Sequence, residues 1–303
     1  MKPSKARPAL MLNANLRSIV LMVAGMLSFT LADLLIKIAT QTLPVGQVMI
    51  MLGVGSTLVF LCLMLLRGEP ILLSPLRQPA VMLRNAGDFI GATSMCLALA
   101  YVPLSTIGAV IQAVPLMITA AAALFLGEHV GIRRLSAILV GFAGVLFILQ
   151  PAAADFDGMV FLALIAAIGL SARDIGTKLI SSSISTLLLS FYASVLFVMS
   201  GGVLLGITGG AAWPDLGVLA MFLAMIALGC LGYIFVTTAV RLGEMSVVSP
   251  FRYSRLLFSV AVGVAILGES VDAKMLIGCL LTIGAGLYIW HREIILNPDV
   301  SAS

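Results

Sequence analysis

Of the 303 residues, 61% are hydrophobic and 10% are charged, with a mean hydropathy of +1.18. Soluble domains carry about 25% charged residues, so an ordinary soluble enzyme or nucleic-acid-binding module is excluded and the class is a multi-pass membrane protein. The formal charge of +4 reflects where lysine and arginine sit along the chain and does not imply a nucleic-acid partner.

Apolar runs of about 20 residues mark membrane helices, and ten are predicted: 16–38, 44–66, 79–100, 104–126, 132–150, 158–179, 185–207, 215–238, 245–267 and 273–291. The basic N-terminus (Lys2, Lys5, Arg7) followed by the run from Leu16 resembles a signal peptide. The length of that run and its counterpart later in the chain favour a resident span. Connections are short and hold turn formers such as Gly68, Pro70, Pro75, Pro103, Pro151, Gly209, Gly210 and Pro214. Cys62, Cys96, Cys230 and Cys279 lie inside apolar runs without paired metal spacing. They read as small core residues, so neither a metal nor a cofactor is expected.

Lysine and arginine bias sets the orientation. The N-terminal tail and alternate loops hold Arg17, Arg67, Arg77, Arg133, Arg134, Lys178, Arg241 and Arg292, against Lys37 and Lys274 on the other side. Both termini are therefore expected in the cytoplasm, which requires an even number of spans.

One constant offset, the step from Asp33 to Asp174, then relates the two halves. The same step joins Lys37 to Lys178, Ala98 to Ala239, and Glu128 to Glu269, where Leu-Gly-Glu closes an apolar run each time. With five spans per half, the second half is expected upside down relative to the first. The expected fold is all-α, ten transmembrane helices in two inverted repeats, residues 1–150 and 151–303. Inverted repeats characterise secondary transporters, whose sites lie near the midplane between the repeats.

The Leu-Gly-Glu endings, the tight hairpin around Ala98–Ser105 and Pro115 within the fourth run resemble the ten-helix EamA branch of the drug/metabolite transporter superfamily, over nearly the whole chain. In flavour the chain is similar to bacterial amino-acid exporters of that branch, aromatic ones included. The resemblance implies an inner-membrane, multi-pass transporter that exports small zwitterions such as amino acids by alternating access. Two fused halves make a complete pathway in one chain, so a monomer suffices. The four-helix multidrug relatives carry a glutamate midway along their first helix. Here Ala24-Gly25-Met26 holds none.

Charges placed within apolar runs are the candidate site, because each costs several kcal/mol unless it meets a partner or water. Ser249, Arg252, Arg255 and Ser259 recur at helical spacing, with the arginines roughly ten to fourteen ångströms in from one end at about 1.5 Å per residue. Arg252 and Arg255 cannot neutralise each other. Asp88, at matching depth, is the expected protein partner of Arg255, which makes a gate; a substrate carboxylate held by the arginine fork is the alternative. Arg84/Asp88 and Asp174/Lys178 are spaced for i,i+4 neutralisation within their own helices. Asp33 and Lys37 fall near the outer end of the first run, where Lys37 can snorkel to the interface. Gln112 belongs to a polar stripe with Ser105 and Thr119. Tyr233 falls at the depth of the charges, and Tyr101 and Phe29 are candidate pocket aromatics. Gly141, Gly144, Gly278, Gly284 and Gly286 read as close-packing faces, and Glu128 and Glu269 as residues that hold loop geometry.

An intramembrane enzyme needs a buried histidine or paired acids. His129 and His291 lie at the ends of runs, and no His-Glu-x-x-His occurs. No phosphate-binding Gly-Lys-Ser/Thr loop is present either. A transporter or flippase for another metabolite or a lipid-linked solute is the alternative that the sequence leaves open.

Overall fold

The computed structural model describes residues 6–125, 132–150, 157–181, 183–242 and 248–296, and among these there is no strand. Eleven α-helices follow one another among the described residues: α1 (Ala6–Ala39), α2 (Val45–Leu66), α3 (Pro79–Tyr101), α4 (Leu104–Ile111), α5 (Val114–Phe125), α6 (Ile132–Leu149), α7 (Phe161–Leu179), α8 (Thr186–Thr208), α9 (Leu216–Leu242), α10 (Ser254–Leu267) and α11 (Ala273–Leu296). Short 3₁₀ turns at Ser74–Arg77, Gly158–Val160 and Ser249–Tyr253 lead into α3, α7 and α10.

Eight helical stretches among the described residues are long and apolar enough to cross a membrane, and Leu135–Leu149 within α6 is a shorter apolar helix. The α3 helix is not among the eight, because Arg84, Asn85 and Asp88 dilute its apolar character. It buries that polar run instead, with Arg84 and Asn85 each only 8% exposed. Leucine, isoleucine and valine side chains cover the outside of the molecule, Leu66, Val203, Ile207 and Leu280 among them. In a lipid solvent such a surface costs nothing, and close packing between helices has to supply cohesion.

Proline explains both departures from unbroken helices. Pro115 lacks the N–H that would reach the Ile111 carbonyl, and the expected helix 104–126 splits there into α4 and α5. The gap is closed by tighter turns, Gln112 N to Ala109 O at 3.2 Å and Ala113 N to Val110 O at 3.0 Å. Pro250 sits in the first turn of Ser249–Tyr253, so the expected helix 245–267 begins, within the described residues, as 3₁₀ and becomes α-helical only at Ser254.

The four broadest helix contacts are α1 with α9, α2 with α8, α3 with α7 and α6 with α11. Glycines bring the backbones together. A β-carbon on Gly169 of α7 would come within 2.4 Å of Gly91 N on α3, and one on Gly87 within 2.5 Å of Arg173 N. The sequence offset reappears as geometry. Gly91 packs on Leu170, and the positions that correspond to them in the opposite halves, Gly232 and Phe29, pack on each other. The α6/α11 pair is joined in the same way, a β-carbon on Gly278 falling 2.5 Å from Gly144 O. Two of the glycines expected in that face do otherwise: Gly286 meets Tyr253, and a β-carbon on Gly284 would meet nothing within 4 Å.

Polar side chains tie the connections. Glu269 accepts from Leu104 N (2.6 Å), Ser105 N (2.9 Å) and Ser105 Oγ (2.7 Å), which satisfies free amides at the start of α4. Glu269 thus holds loop geometry as expected; Glu128 lies outside the described residues. Gln47 pairs with the Ala212 peptide through Nε2 to O (2.5 Å) and N to Oε1 (2.9 Å).

Candidate functional site

A part-buried ion pair joins the two halves of the chain. Arg255 Nη2 of α10 lies 2.6 Å from Asp33 Oδ2 of α1, with side chains 21% and 12% exposed. The guanidinium carbon also sits 5.6 Å above the centre of the Phe29 ring, one turn back along α1, a cation–π contact that complements the ion pair. Ser259, a turn further along α10, donates to the Arg255 carbonyl at 2.8 Å. Its side chain fills the space that a β-carbon on Gly108 of α4 would need. The Arg255 side chain is therefore held from α1, and Ser259 packs its helix against α4.

The sequence pairs Arg255 with Asp88, and the structure corrects the partner to Asp33. The 3₁₀ turn before α10 accounts for part of the difference, and the reach of the long arginine side chain adds to it. At about 2.0 Å per residue rather than 1.5 Å, the five residues of the turn carry Arg255 about 2.5 Å further along the helix axis than an α-helical count, toward the depth of Asp33. The single helical stripe from Ser249 to Ser259 is broken at the same point.

Asp88 belongs to a second cluster between α3 and α7. Arg173 Nη2 lies 2.8 Å from Asp174 Oδ1, and its Nη1 lies 3.7 Å from Asp88 Oδ1. Arg84 makes no salt bridge to Asp88 and donates instead to Leu189 O (3.0 Å) and Asn85 Oδ1 (3.3 Å). The expected i,i+4 pair Arg84/Asp88 is thus replaced by a contact between helices, because Gly87 lets the Arg173 backbone come close. Asp174 takes the adjacent Arg173; the side chain of Lys178 lies outside the described residues. Arg252 lies within electrostatic reach of Asp174 and Arg173, and Arg84 within reach of Asp88, Arg173 and Asp174.

Among the described side chains this region holds three guanidiniums, Arg84, Arg173 and Arg252, against two carboxylates, Asp88 and Asp174. It carries one positive charge in excess, and Nε of both Arg84 and Arg252 is buried without a hydrogen-bond partner. Buried polar groups are ordinarily satisfied. An anion with several acceptor oxygens matches this donor set, and a carboxylate is the natural choice for an arginine fork. Gln112, at the α4–α5 break, is 6% exposed with Nε2 also unpartnered.

Other expected residues are placed differently. Tyr101 is 56% exposed at the end of α3 and is not enclosed. Tyr233 meets Phe60 edge-on, ring centres 6.3 Å apart. Lys37 does not snorkel. It turns inward and donates to Leu99 O (3.2 Å) and Val102 O (2.6 Å), tying the end of α1 to the end of α3. Phe29 reads from sequence as a pocket aromatic, and its place under Arg255 is not legible there. Asn85 escapes a sequence reading because a single asparagine in an apolar run carries no partner signal. The described cysteines are unpaired, and among the described residues no three of His, Cys, Asp and Glu are arranged to hold a metal.

The EamA-like transporter family model matches residues 16–150 and again residues 158–290. The chain belongs to the EamA-like transporter family. Among its relatives, an S-adenosylmethionine uptake transporter of Rickettsia bellii is 27% identical over 70% of this chain and 72% of that protein. A riboflavin transporter of Rhizobium johnstonii is 29% identical over 68% of each. The pseudopaline exporter CntI of Pseudomonas aeruginosa (strain UCBPP-PA14) is 24% identical over 88% of this chain and 93% of that protein. A solved crystal structure superposes with a TM-score of 0.58 at 18% identity, covering 91% of this chain and 98% of the other, a likeness of fold. This EamA-like protein is thus a multi-pass membrane protein of a family that transports small molecules, which sets it apart from the intramembrane enzymes considered above.

Proposed function

We propose that the protein is a secondary transporter of the bacterial inner membrane that exports small metabolites carrying a carboxylate, amino acids first among them. In this reading α3 and α6 join the eight apolar stretches to give ten spans. Residues 1–150 and 151–303 form two inverted repeats, and both termini lie in the cytoplasm.

The observation that carries the reading is the Asp33–Arg255 pair, which bridges α1 of one repeat and α10 of the other. Opening it unaided would strand two charges in a low-dielectric site, at a cost of about 3–5 kcal/mol. Opening becomes cheap when a second anion takes the place of Asp33 on the guanidinium fork. A substrate carboxylate does this, so movement of α1 against α10 is coupled to occupancy, and the repeats rock about a loaded site. The cationic excess around Arg84, Arg173 and Arg252 falls on the cytoplasmic side of this pair in the proposed topology. It would draw the carboxylate in from that side, which favours export. The relatives named for S-adenosylmethionine uptake and pseudopaline export support a small-molecule substrate, while their opposite directions leave the direction to rest on charge placement.

The test is exchange in proteoliposomes loaded with radiolabelled amino acids. External amino acids should accelerate efflux, and the corresponding amines, which lack only the carboxylate, should not. Equal acceleration by the amines would overturn the proposal. With pH held constant, a protonophore should leave this exchange unchanged.

A further inference from the structure

We propose that Gln112 is a specificity-determining residue of the transport site. When Arg255 turns from Asp33 to a substrate carboxylate, the Gln112 side-chain amide donates to the second carboxylate oxygen. This role rests on the carboxylate site proposed above and adds a named donor to it. The packing of α4 against α10 sets the position. The two helices run antiparallel in contact: a β-carbon on Gly263 would fall 3.5 Å from the Ser105 side chain, and one on Gly108 would fall 2.4 Å from that of Ser259. One turn further along this register, α4 and its C-terminal cap bring Ile111 and Gln112, and α10 brings Arg255 and Leu256. Ser105, Gly108 and Gln112 follow at spacings of three and four, so Gln112 continues the face that touches α10. Ile111 is turned about 100° away from it. Gln112 keeps helical backbone angles, φ −67° and ψ −11°, so the break before Pro115 leaves it on that face.

The chemistry of the amide supplies the role. Gln112 is 6% exposed, and its Nε2 is buried with no hydrogen-bond partner. Buried donors are ordinarily satisfied, and a bound substrate is the acceptor that this one lacks. Arg255 holds Asp33 by a hydrogen bond from Nη2 to Oδ2 at 2.6 Å. A substrate carboxylate held in the same way has a second oxygen that also accepts. A neutral amide level with the guanidinium satisfies that oxygen without placing a second cation in the membrane, and it stands idle while Asp33 occupies Arg255. The ion pair is only part buried, with side chains 21% and 12% exposed. A carboxylate therefore reaches Arg255 first, and Gln112 once the pair parts.

The test uses the full-length protein in proteoliposomes, the amino acid most active in the exchange above, and its amino alcohol, which keeps the ammonium and one oxygen. Inhibition constants of both compounds against the labelled amino acid would be measured in the wild type and in Gln112→Met, which keeps the unbranched shape and loses the donor. Binding of the amino acid should weaken about tenfold, the worth of one hydrogen bond to a charged group. Binding of the amino alcohol should weaken less than about twofold. Gln112→Leu, of different shape and equally without a donor, should give the same split. Because no protein partner is lost, both variants should melt in detergent at the wild-type temperature or above. An equal fall for the two compounds would make Gln112 a packing residue, and an unchanged preference would leave it outside the site; either result overturns the proposal. So would a melting temperature lowered in both variants, which would show that the protein itself holds the amide. A wild type that binds the amino alcohol as tightly as the amino acid would instead remove the carboxylate site itself.

Discussion

Asp33 and Arg255 lie 222 positions apart in sequence and 2.6 Å apart in space. Each is the other's compensation, so the two single losses are expected to differ in kind. Asp33→Asn leaves a buried guanidinium uncompensated and should lower both stability and flux, the former by about 3 kcal/mol or more. Arg255→Lys keeps the charge but loses the planar fork and its stacking on Phe29. It should insert normally and lose at least tenfold in exchange rate, measured in the same proteoliposomes. Glu269 offers a contrast, because its three accepted hydrogen bonds stabilise the start of α4 without facing substrate. Glu269→Ala should cost about 1–2 kcal/mol in thermal or denaturant unfolding, while Glu269→Gln, which keeps an acceptor oxygen, should lose less. At this scale the sequence finds the charges that lie within the helices and misassigns whom they meet. Depth counted at a uniform rise cannot see a 3₁₀ turn, and nothing in a single sequence links position 33 to 255. Lys37 is misread for a related reason: a preference for the interface is the ordinary behaviour of a terminal lysine, and the carbonyls left free at the end of α3 are not legible.

At the scale of elements, the apolar runs locate most described helices within about five residues, because the thickness of a bilayer dictates their length; α1 instead begins at Ala6, ten residues before its apolar run. What the runs conceal are the breaks. Pro115 and Pro250 stand in plain view, yet a proline in a membrane helix can be absorbed as a mild kink or can end the helix, and tertiary packing decides. Pro115→Ala restores the missing donor to Ile111 and should fuse α4 with α5. The expected outcome is a protein of equal or higher thermal stability with slower exchange, since the buried Gln112 amide at the break would be turned away. The close approach of α3 and α7 is more demanding. A leucine at Gly169 would drive into the Gly91 backbone, and overpacking of this kind costs about 1–3 kcal/mol or more. Gly169→Leu should therefore lower the melting temperature in detergent, whereas Gly202→Leu, where nothing lies within 4 Å of the β-carbon, should not.

For the molecule as a whole, the constant offset between the halves is the most productive regularity in the sequence, because it recurs in space as the Gly91–Leu170 and Gly232–Phe29 contacts. Charge follows it only in part: Asp33 and Lys37 recur as Asp174 and Lys178, but Arg255, Arg84 and Asp88 have no charged counterpart. Position 114, which corresponds to Arg255, is valine, and positions 225 and 229, which correspond to Arg84 and Asp88, are methionine and glycine. The scaffold is duplicated and the arginines of the candidate site are not, as expected of a pathway whose two ends perform different tasks. The proposed inversion predicts that single cysteines replacing Asp155 and Trp213 react with an impermeant reagent from the periplasm, while those replacing Arg133 and Ser182 do not. Labelling of all four from one side would remove the inverted topology. The central claim, that Asp33 and Arg255 form the contact which opens and closes as the repeats move, is tested most directly by exchanging the two charges. The double variant Asp33→Arg with Arg255→Asp restores an ion pair between α1 and α10, and should recover measurable exchange relative to either single reversal. Wild-type flux in a well-expressed Arg255→Ala protein would contradict the account outright.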